Sequence, residues 1–115
     1  MAAITNFYID TGSNFGAVIT VKGSDGLPLR LTGFTVESYI RKSYASRTHI
    51  DFHAQVYSEV GGQIRVSLTN ADTNAIKPGR YMYDIEITQT STGEKLRVSE
   101  GIIIFTPQIT KPDPA

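Results

Sequence analysis

Between positions 78 and 87 the chain reads Pro78-Gly79-Arg80-Tyr81-Met82-Tyr83-Asp84-Ile85-Glu86-Ile87. A turn signal is followed by a strict alternation, with Tyr81, Tyr83, Ile85 and Ile87 at the odd positions and Arg80, Met82, Asp84 and Glu86 at the even ones. Successive side chains of a β-strand point to opposite faces, so this period of two predicts a half-buried strand. The odd residues form its inward face.

Similar alternating segments lie on both sides of this strand and are separated by turn signals. Tight turns are favoured at Asp25-Gly26, Gly61-Gly62 and Ser91-Thr92-Gly93, because glycine adopts positive φ without steric cost. A proline restricts residues 27–31 to a sheet edge or a crossover. About seven strands are predicted. One is the alternating strand within residues 78–87, here called the tyrosine strand, and the others span residues 4–10, 15–22, 34–42, 50–57, 63–68 and 95–106. We expect the last of them to bend at Gly101.

The period changes just before the tyrosine strand. Residues near 70–76 predict a short helical turn, with Thr69 or Asn70 as its N-cap and Pro78-Gly79 as its stop. This pattern predicts an all-β fold, an immunoglobulin-like antiparallel β-sandwich. We expect one sandwich domain over residues 1–106 and an extended, proline-rich tail over residues 107–115.

Composition limits the classes of function. The chain has 115 residues and carries eleven basic and eleven acidic side chains, so it has no long-range attraction for nucleic acid. It contains no cysteine, which favours assembly in a reducing cytosol. The amino terminus lacks the basic and apolar regions of a signal peptide, and the longest apolar run, residues 102–105, is too short to cross a bilayer. We therefore expect neither a nucleic-acid nor a membrane partner.

His49, Asp51 and His53 are candidate metal ligands, because they share one face of a predicted strand. Neighbouring side chains on one face of a strand lie about 7 Å apart, which is wide for three ligands on one ion. The alternative interpretation is a solvent face opposite the apolar residues of the same strand. We expect no metal and no other cofactor.

The sequence contains no catalytic signature. Asp84 and Glu86 form a pair of carboxylates, but no histidine or glycine-rich loop accompanies them, so cross-strand pairing with Arg97 or Arg41 is the simpler interpretation. No glycine lies in a phosphate-binding loop, and no nucleophile motif occurs. We expect a protein that is not an enzyme.

Tyrosines follow the turn at Pro78-Gly79 directly. In sandwich domains a tyrosine at such a corner often bonds to the backbone of the preceding loop, so we assign Tyr81 and Tyr83 a structural role. A carbohydrate-binding platform would need several exposed aromatic residues together, and the remaining candidates are spread along the sequence at Tyr8, Tyr39, Tyr44 and Tyr57.

Apolar residues also occur on the outward faces of several predicted strands. If residues 34–42, the tyrosine strand and the last strand share a sheet, these residues form one exposed patch, which is typical of a protein–protein contact. The alternative is a set of single, scattered apolar side chains. The predicted interface residues are Tyr39, Met82, Ile103 and Phe105, with the last two depending on register after Gly101.

The chain also resembles a known family over nearly its whole length. The segments that carry the resemblance are Asp25-Gly26-Leu27-Pro28-Leu29, Leu31-Thr32-Gly33-Phe34-Thr35, Tyr39-Ile40-Arg41-Lys42-Ser43-Tyr44, Gly62-Gln63-Ile64-Arg65-Val66-Ser67-Leu68-Thr69, Pro78 to Glu86, Glu100-Gly101-Ile102-Ile103-Ile104 and Pro107-Gln108-Ile109-Thr110. They resemble the small immunoglobulin-like virion structural proteins of tailed bacteriophages, especially T4-like phages of marine bacteria. They are also similar to the N-terminal domain of upper baseplate proteins in lactococcal phages.

The resemblance implies a non-enzymatic virion protein of the tail, baseplate, neck or head surface. Its partners would be other virion proteins, and it would be a homo-oligomer or present in many copies, assembled in the host cytoplasm. The alternative is a carbohydrate- or host-surface-binding module of a phage adhesion device.

Overall fold

The computed structural model describes residues 3–109. Of the tail predicted over residues 107–115, residues 110–115 lie outside this range. No helix in residues 3–109 is long and apolar enough to span a lipid bilayer. In chain order the elements are β1 (Ala3–Ile4), β2 (Phe7–Asp10), β3 (Phe15–Thr20), β4 (Phe34–Arg41), β5 (Ile50–Asp51), β6 (Gln55–Ser58), β7 (Gln63–Leu68), α1 (Asn70–Asn74), β8 (Gly79–Gln89) and β9 (Lys95–Thr106).

Two sheets pack face to face, which confirms the predicted all-β, immunoglobulin-like sandwich. The six-stranded sheet has the order β1-β9-β8-β4-β5, and β2 also pairs with β9. The three-stranded sheet has the order β3-β7-β6. The strand pairs are antiparallel except at one edge, where β1 and β2 run parallel to β9. The first strand of the chain therefore closes the sheet beside the last one.

The core lies between the two sheets and follows the alternation of the sequence. From β8 it receives Tyr83, Ile85 and Ile87, while β7 supplies Ile64, Val66 and Leu68 from the opposite sheet; all of them are buried. Full burial of each such aliphatic side chain stabilises the fold by about 1.5–3 kcal/mol.

The helix begins as the sequence predicts. Thr69 is the N-cap, and its side chain accepts a hydrogen bond from the backbone N–H of Asp72, whose carboxylate accepts one from the backbone N–H of Thr69. This reciprocal capping satisfies two donors that a helix terminus leaves free. Thr73 is fully buried, and its hydroxyl joins the helix to the β2–β3 turn by accepting from Gly12 N and donating to Ser13 O.

The strand predicted over residues 50–57 is two strands in different sheets. His53 has a φ of 55°, in the left-handed region of backbone conformation that residues other than glycine rarely adopt. The chain passes from one sheet to the other at this residue. Phe52, buried just before this bend, donates its backbone N–H to Ser38 O and accepts at its carbonyl from Ser67 N. Its backbone thus connects the two sheets, while the inward alternation of Ile50, Phe52, Ala54 and Val56 continues through the bend.

The bend expected at Gly101 is wrong in position. The pairing of β8 with β9 shifts where Ile85 faces Ser99 but Glu86 faces Arg97, which leaves Val98 as the extra residue of a β-bulge. Gly101 has a different role, because a Cβ atom there would overlap the carbonyl oxygen of Thr5 in the N-terminal segment.

The same register corrects two predicted interface residues. Tyr81 faces Ile103 and Gly79 faces Phe105 across the antiparallel ladder, and directly opposed residues project from the same face of a sheet. Because Tyr81 points inward, Ile103 and Phe105 do too, and they are 0% and 1% exposed. Their prediction as interface residues is wrong, and Ile102 and Ile104 lie on the outward face instead.

Candidate functional site

The outward face of the six-stranded sheet carries a groove of about 660 Å³, here called the outer-sheet groove. It lies across β4, β8 and β9, between the loop that follows β4 and strand β1. Its apolar and aromatic lining consists of Ile4, Tyr39, Tyr44, Met82, Tyr83 and Ile102. Its charged lining consists of Arg41, Arg80, Asp84, Glu86, Arg97 and Glu100.

Strand pairing arranges the outward side chains in rows across the sheet. In order along β8 the rows are Arg80 with Ile104; Arg41, Met82 and Ile102; Tyr39, Asp84 and Glu100; and Glu37, Glu86 and Arg97. Tyr39 and Met82, both predicted from sequence, therefore lie in neighbouring rows of one surface. Ile102 takes the place that the sequence interpretation assigned to Ile103 or Phe105.

Charge is separated by sign along these rows. Arg80 and Arg41 lie towards one end, Arg80 in the row of Ile104 and Arg41 in the row of Met82 and Ile102, and the acidic side chains Asp84, Glu86 and Glu100 lie towards the other end. Arg97, in the acidic part, is paired with Asp84 at 3.2 Å between Nε and Oδ2. That is the cross-strand partner expected from sequence, and because both groups are partly exposed the pair contributes at most about 1 kcal/mol.

Tyr39 is held between polar neighbours at the β4 side of the groove. Its ring stacks on His49 with centroids 3.8 Å apart, and the Arg41 guanidinium lies 5.9 Å from the ring centroid. A hydrogen bond with Glu37, together with the negative charge of that carboxylate, raises the pKa of the Tyr39 hydroxyl. The ring is therefore fixed in place at the surface and stays neutral at physiological pH.

The loop that follows β4 places a second tyrosine at the rim. Arg41 donates from Nη1 to the backbone carbonyls of Ser46 and Thr48, which ties this loop to the sheet. Tyr44, in the same loop, is 83% exposed and lines the groove. The strand pattern of the sequence does not place Tyr44 on this surface, because the position of Tyr44 depends on those loop contacts.

The three candidate metal ligands point to different partners. His49 stacks on Tyr39, Asp51 accepts a 2.8 Å hydrogen bond from the backbone N–H of His53, and the His53 ring lies 3.5 Å from the Asp72 carboxylate. The bend at His53 separates them, since it breaks the strand on which they were to share a face. Within residues 3–109, no three His, Cys, Asp or Glu side chains are grouped so as to hold one ion.

The two tyrosines of β8 hold the chain together on the inward side. Tyr81 donates to the backbone carbonyl of Lys77 at 2.8 Å, which is the corner bond expected from sequence, and Lys42 Nζ lies 4.6 Å from its ring centroid. Tyr83 donates to the backbone carbonyl of Thr5 at 2.6 Å, and burial raises the pKa of its hydroxyl. Each hydroxyl therefore donates its proton within the chain.

Comparison with known proteins gives a distant structural similarity. No protein-family model matches the chain, and no curated protein matches it either. Among solved structures, the crystal structure of Listeria monocytogenes InlP is similar, with 16% sequence identity and a TM-score of 0.49. The similarity covers 89% of this chain but only 26% of that one, so this chain spans about a quarter of the length of InlP.

Proposed function

We propose that this chain is a non-enzymatic structural protein of a tailed-bacteriophage virion, in the tail, baseplate, neck or head surface. It acts by protein–protein contacts, and the outer-sheet groove is its assembly surface. The observation that carries the proposal is the placement of Tyr39, Met82 and Ile102 from three adjacent strands on one outward face. An apolar centre with charged residues around it is the usual composition of a protein–protein interface.

The chemistry of the groove favours binding over catalysis. Its acidic pair is not positioned as a general acid and base, because Asp84 is engaged by Arg97 and lies on an open sheet face. The aromatic and apolar residues are of the kinds that carry binding energy in interfaces. The proposal needs no cofactor, nucleic acid or membrane.

The virion context comes from the sequence resemblance to small immunoglobulin-like phage proteins, which extends over nearly the whole chain. In a particle such a protein is present in many copies, assembled in the host cytoplasm beside other virion proteins. A sandwich of two packed sheets suits that role, since its sheet faces offer broad surfaces to neighbouring proteins.

Purified phage particles from the virus that encodes this chain provide the test. We expect mass spectrometry to find the chain at a fixed stoichiometry, and a map of the particle to place the groove against a neighbouring protein. A phage carrying Met82→Asp should lose the chain from its particles. A phage carrying Val18→Asp, which alters an exposed residue of the other sheet, should retain it. Particles that lack the wild-type chain would refute the proposal.

A second candidate is a carbohydrate- or host-surface-binding module. It is favoured by one observation, that Tyr39 and Tyr44 line the same groove together with charged hydrogen-bonding side chains. This function predicts saturable glycan binding that Tyr44→Ala abolishes. A glycan array that stays blank with folded protein would eliminate it.

A further inference from the structure

We propose that the outer-sheet groove binds a second copy of this chain. The two copies are related by a two-fold axis that lies in the plane of the interface and is perpendicular to the strands. The inference rests on the proposed function, because it takes the groove as an assembly surface and names the partner.

The first support is the charge balance of the groove. Its lining holds three arginines and three carboxylates, so it attracts neither a strongly acidic nor a strongly basic partner. The two signs are nevertheless separated along β8, because Arg80 precedes Met82 whereas Asp84 and Glu86 follow it. A face that is neutral in sum but polar along one direction is complementary to an inverted copy of itself.

The second support is the spacing along β8. Arg80 and Glu86 lie at equal distances from Tyr83, three residues before it and three after. A two-fold axis that crosses the strands at Tyr83 reverses the strand direction and places Arg80 of each copy over Glu86 of the second copy. The same operation places the row of Arg41, Met82 and Ile102 of each copy over the row of Tyr39, Asp84 and Glu100 of the second copy, next to the axis.

The third support is that these charges are available. Within residues 3–109 the ion pairs are those of His53 with Asp72 and of Arg97 with Asp84, so neither Arg80 nor Glu86 has an ion-pair partner among those residues. Arg97 lies opposite Glu86 across the ladder, but it is paired with Asp84. A two-fold axis along the strands would instead place arginine over arginine and carboxylate over carboxylate. Of these two axes, only the one that crosses the strands brings opposite charges together.

The test uses charge reversal at the two paired positions, measured by sedimentation velocity and native mass spectrometry. We expect the wild-type chain to dimerise, and the dimer to weaken as salt rises, because the pairs are exposed. Arg80→Glu and Glu86→Arg should each weaken the homodimer by at least about tenfold, since symmetry creates the like-charge contact twice. Arg65→Glu, on the other sheet, is the matched control and should leave the dimer unchanged.

Mixing separates this geometry from a general loss of charge. An equimolar mixture of Arg80→Glu and Glu86→Arg chains should form a heterodimer, because each contact then joins opposite charges, and the double variant should recover the homodimer. Circular dichroism checks that each variant is folded. A monomeric wild-type chain, single variants that dimerise normally, or a mixture without rescue would each overturn the inference.

The outcome also distinguishes the inference from the proposed function. A wild-type chain that is monomeric in solution but is found in particles with Met82 against a different protein would overturn only the two-fold dimer. A chain that dimerises as described but is absent from particles would overturn only the virion assignment.

Discussion

The hydroxyl of Tyr83 donates a 2.6 Å hydrogen bond to the backbone carbonyl of Thr5, which lies 78 positions earlier in the chain. Tyr83 faces Gly101 across β8 and β9, and the Thr5 carbonyl lies against Gly101 where a side chain would otherwise be. Asn6 completes the junction, because its side-chain oxygen accepts from the backbone N–H of Ile102. The N-terminal strand is thus fastened to the centre of the sheet that carries the groove.

Removal of this hydroxyl should weaken the fold. Tyr83→Phe leaves the Thr5 carbonyl without its donor at a partly buried position, so we expect a loss of about 1–3 kcal/mol in the free energy of unfolding, measured with urea. Tyr81→Phe is the matched control, because its bond to Lys77 O is exposed to water, and it should cost less. Equal losses in the two variants would contradict the burial argument.

Gly101→Ala should also destabilise the protein, by about 1–3 kcal/mol, because its Cβ would overlap backbone atoms of Thr5 and force β1 away from β9. Gly16→Ala in β3 is a suitable control. There the nearest atom is the end of the flexible Arg65 side chain, which can move aside. Thermal unfolding of the two variants measures the difference, and a Gly101→Ala protein as stable as wild type would show that the junction is loose.

The pH dependence of stability should include a contribution from Asp72. The hydrogen bond from the backbone N–H of Thr69 is the main cause that lowers the pKa of this carboxyl below its ordinary value of 3.8. A depressed pKa in the folded state means that the stabilisation is complete above the unfolded value and is lost as pH falls through the folded value. Urea midpoints measured from pH 6 down to pH 2 should therefore decline below about pH 4.

Asp72→Asn provides the comparison for that titration. The amide cannot titrate, so the variant should be less stable at neutral pH and should show a shallower decline in acid. A wild-type profile that matches the variant profile would mean that the capping carboxylate does not contribute.

Two adjacent isoleucines test the register of β9. Ile103 is fully buried, so Ile103→Ala should cost about 2–5 kcal/mol of unfolding free energy. Ile102 lies on the outward face beside Met82, so Ile102→Ala should cost much less while weakening assembly through the groove. Guanidinium unfolding measures the first effect and sedimentation the second, and a reversed order of stabilities would show that the strand is shifted by one residue.

The candidate site was only partly predictable. Tyr39 and Met82 were placed on an outward face by alternation alone, because period two is a property of neighbouring residues. The separation of charge, with Arg80 at one end and Glu86 at the other, has meaning only once β4, β8 and β9 are aligned side by side. Tyr44 joined the surface through loop contacts of Arg41, for which no strand or helix pattern exists.

The sequence by itself determined the inward faces of the strands before β9, the glycine turns and the Thr69 helix cap, since each depends on residues within a few positions of one another. The tertiary structure decided which strands meet and in what register. It split residues 50–57 at His53, paired the first strand parallel to the last and moved the outward role from Ile103 to Ile102. Those choices join residues far apart in the chain, and the free energy that selects them comes from packing the whole core, so no local pattern encodes them.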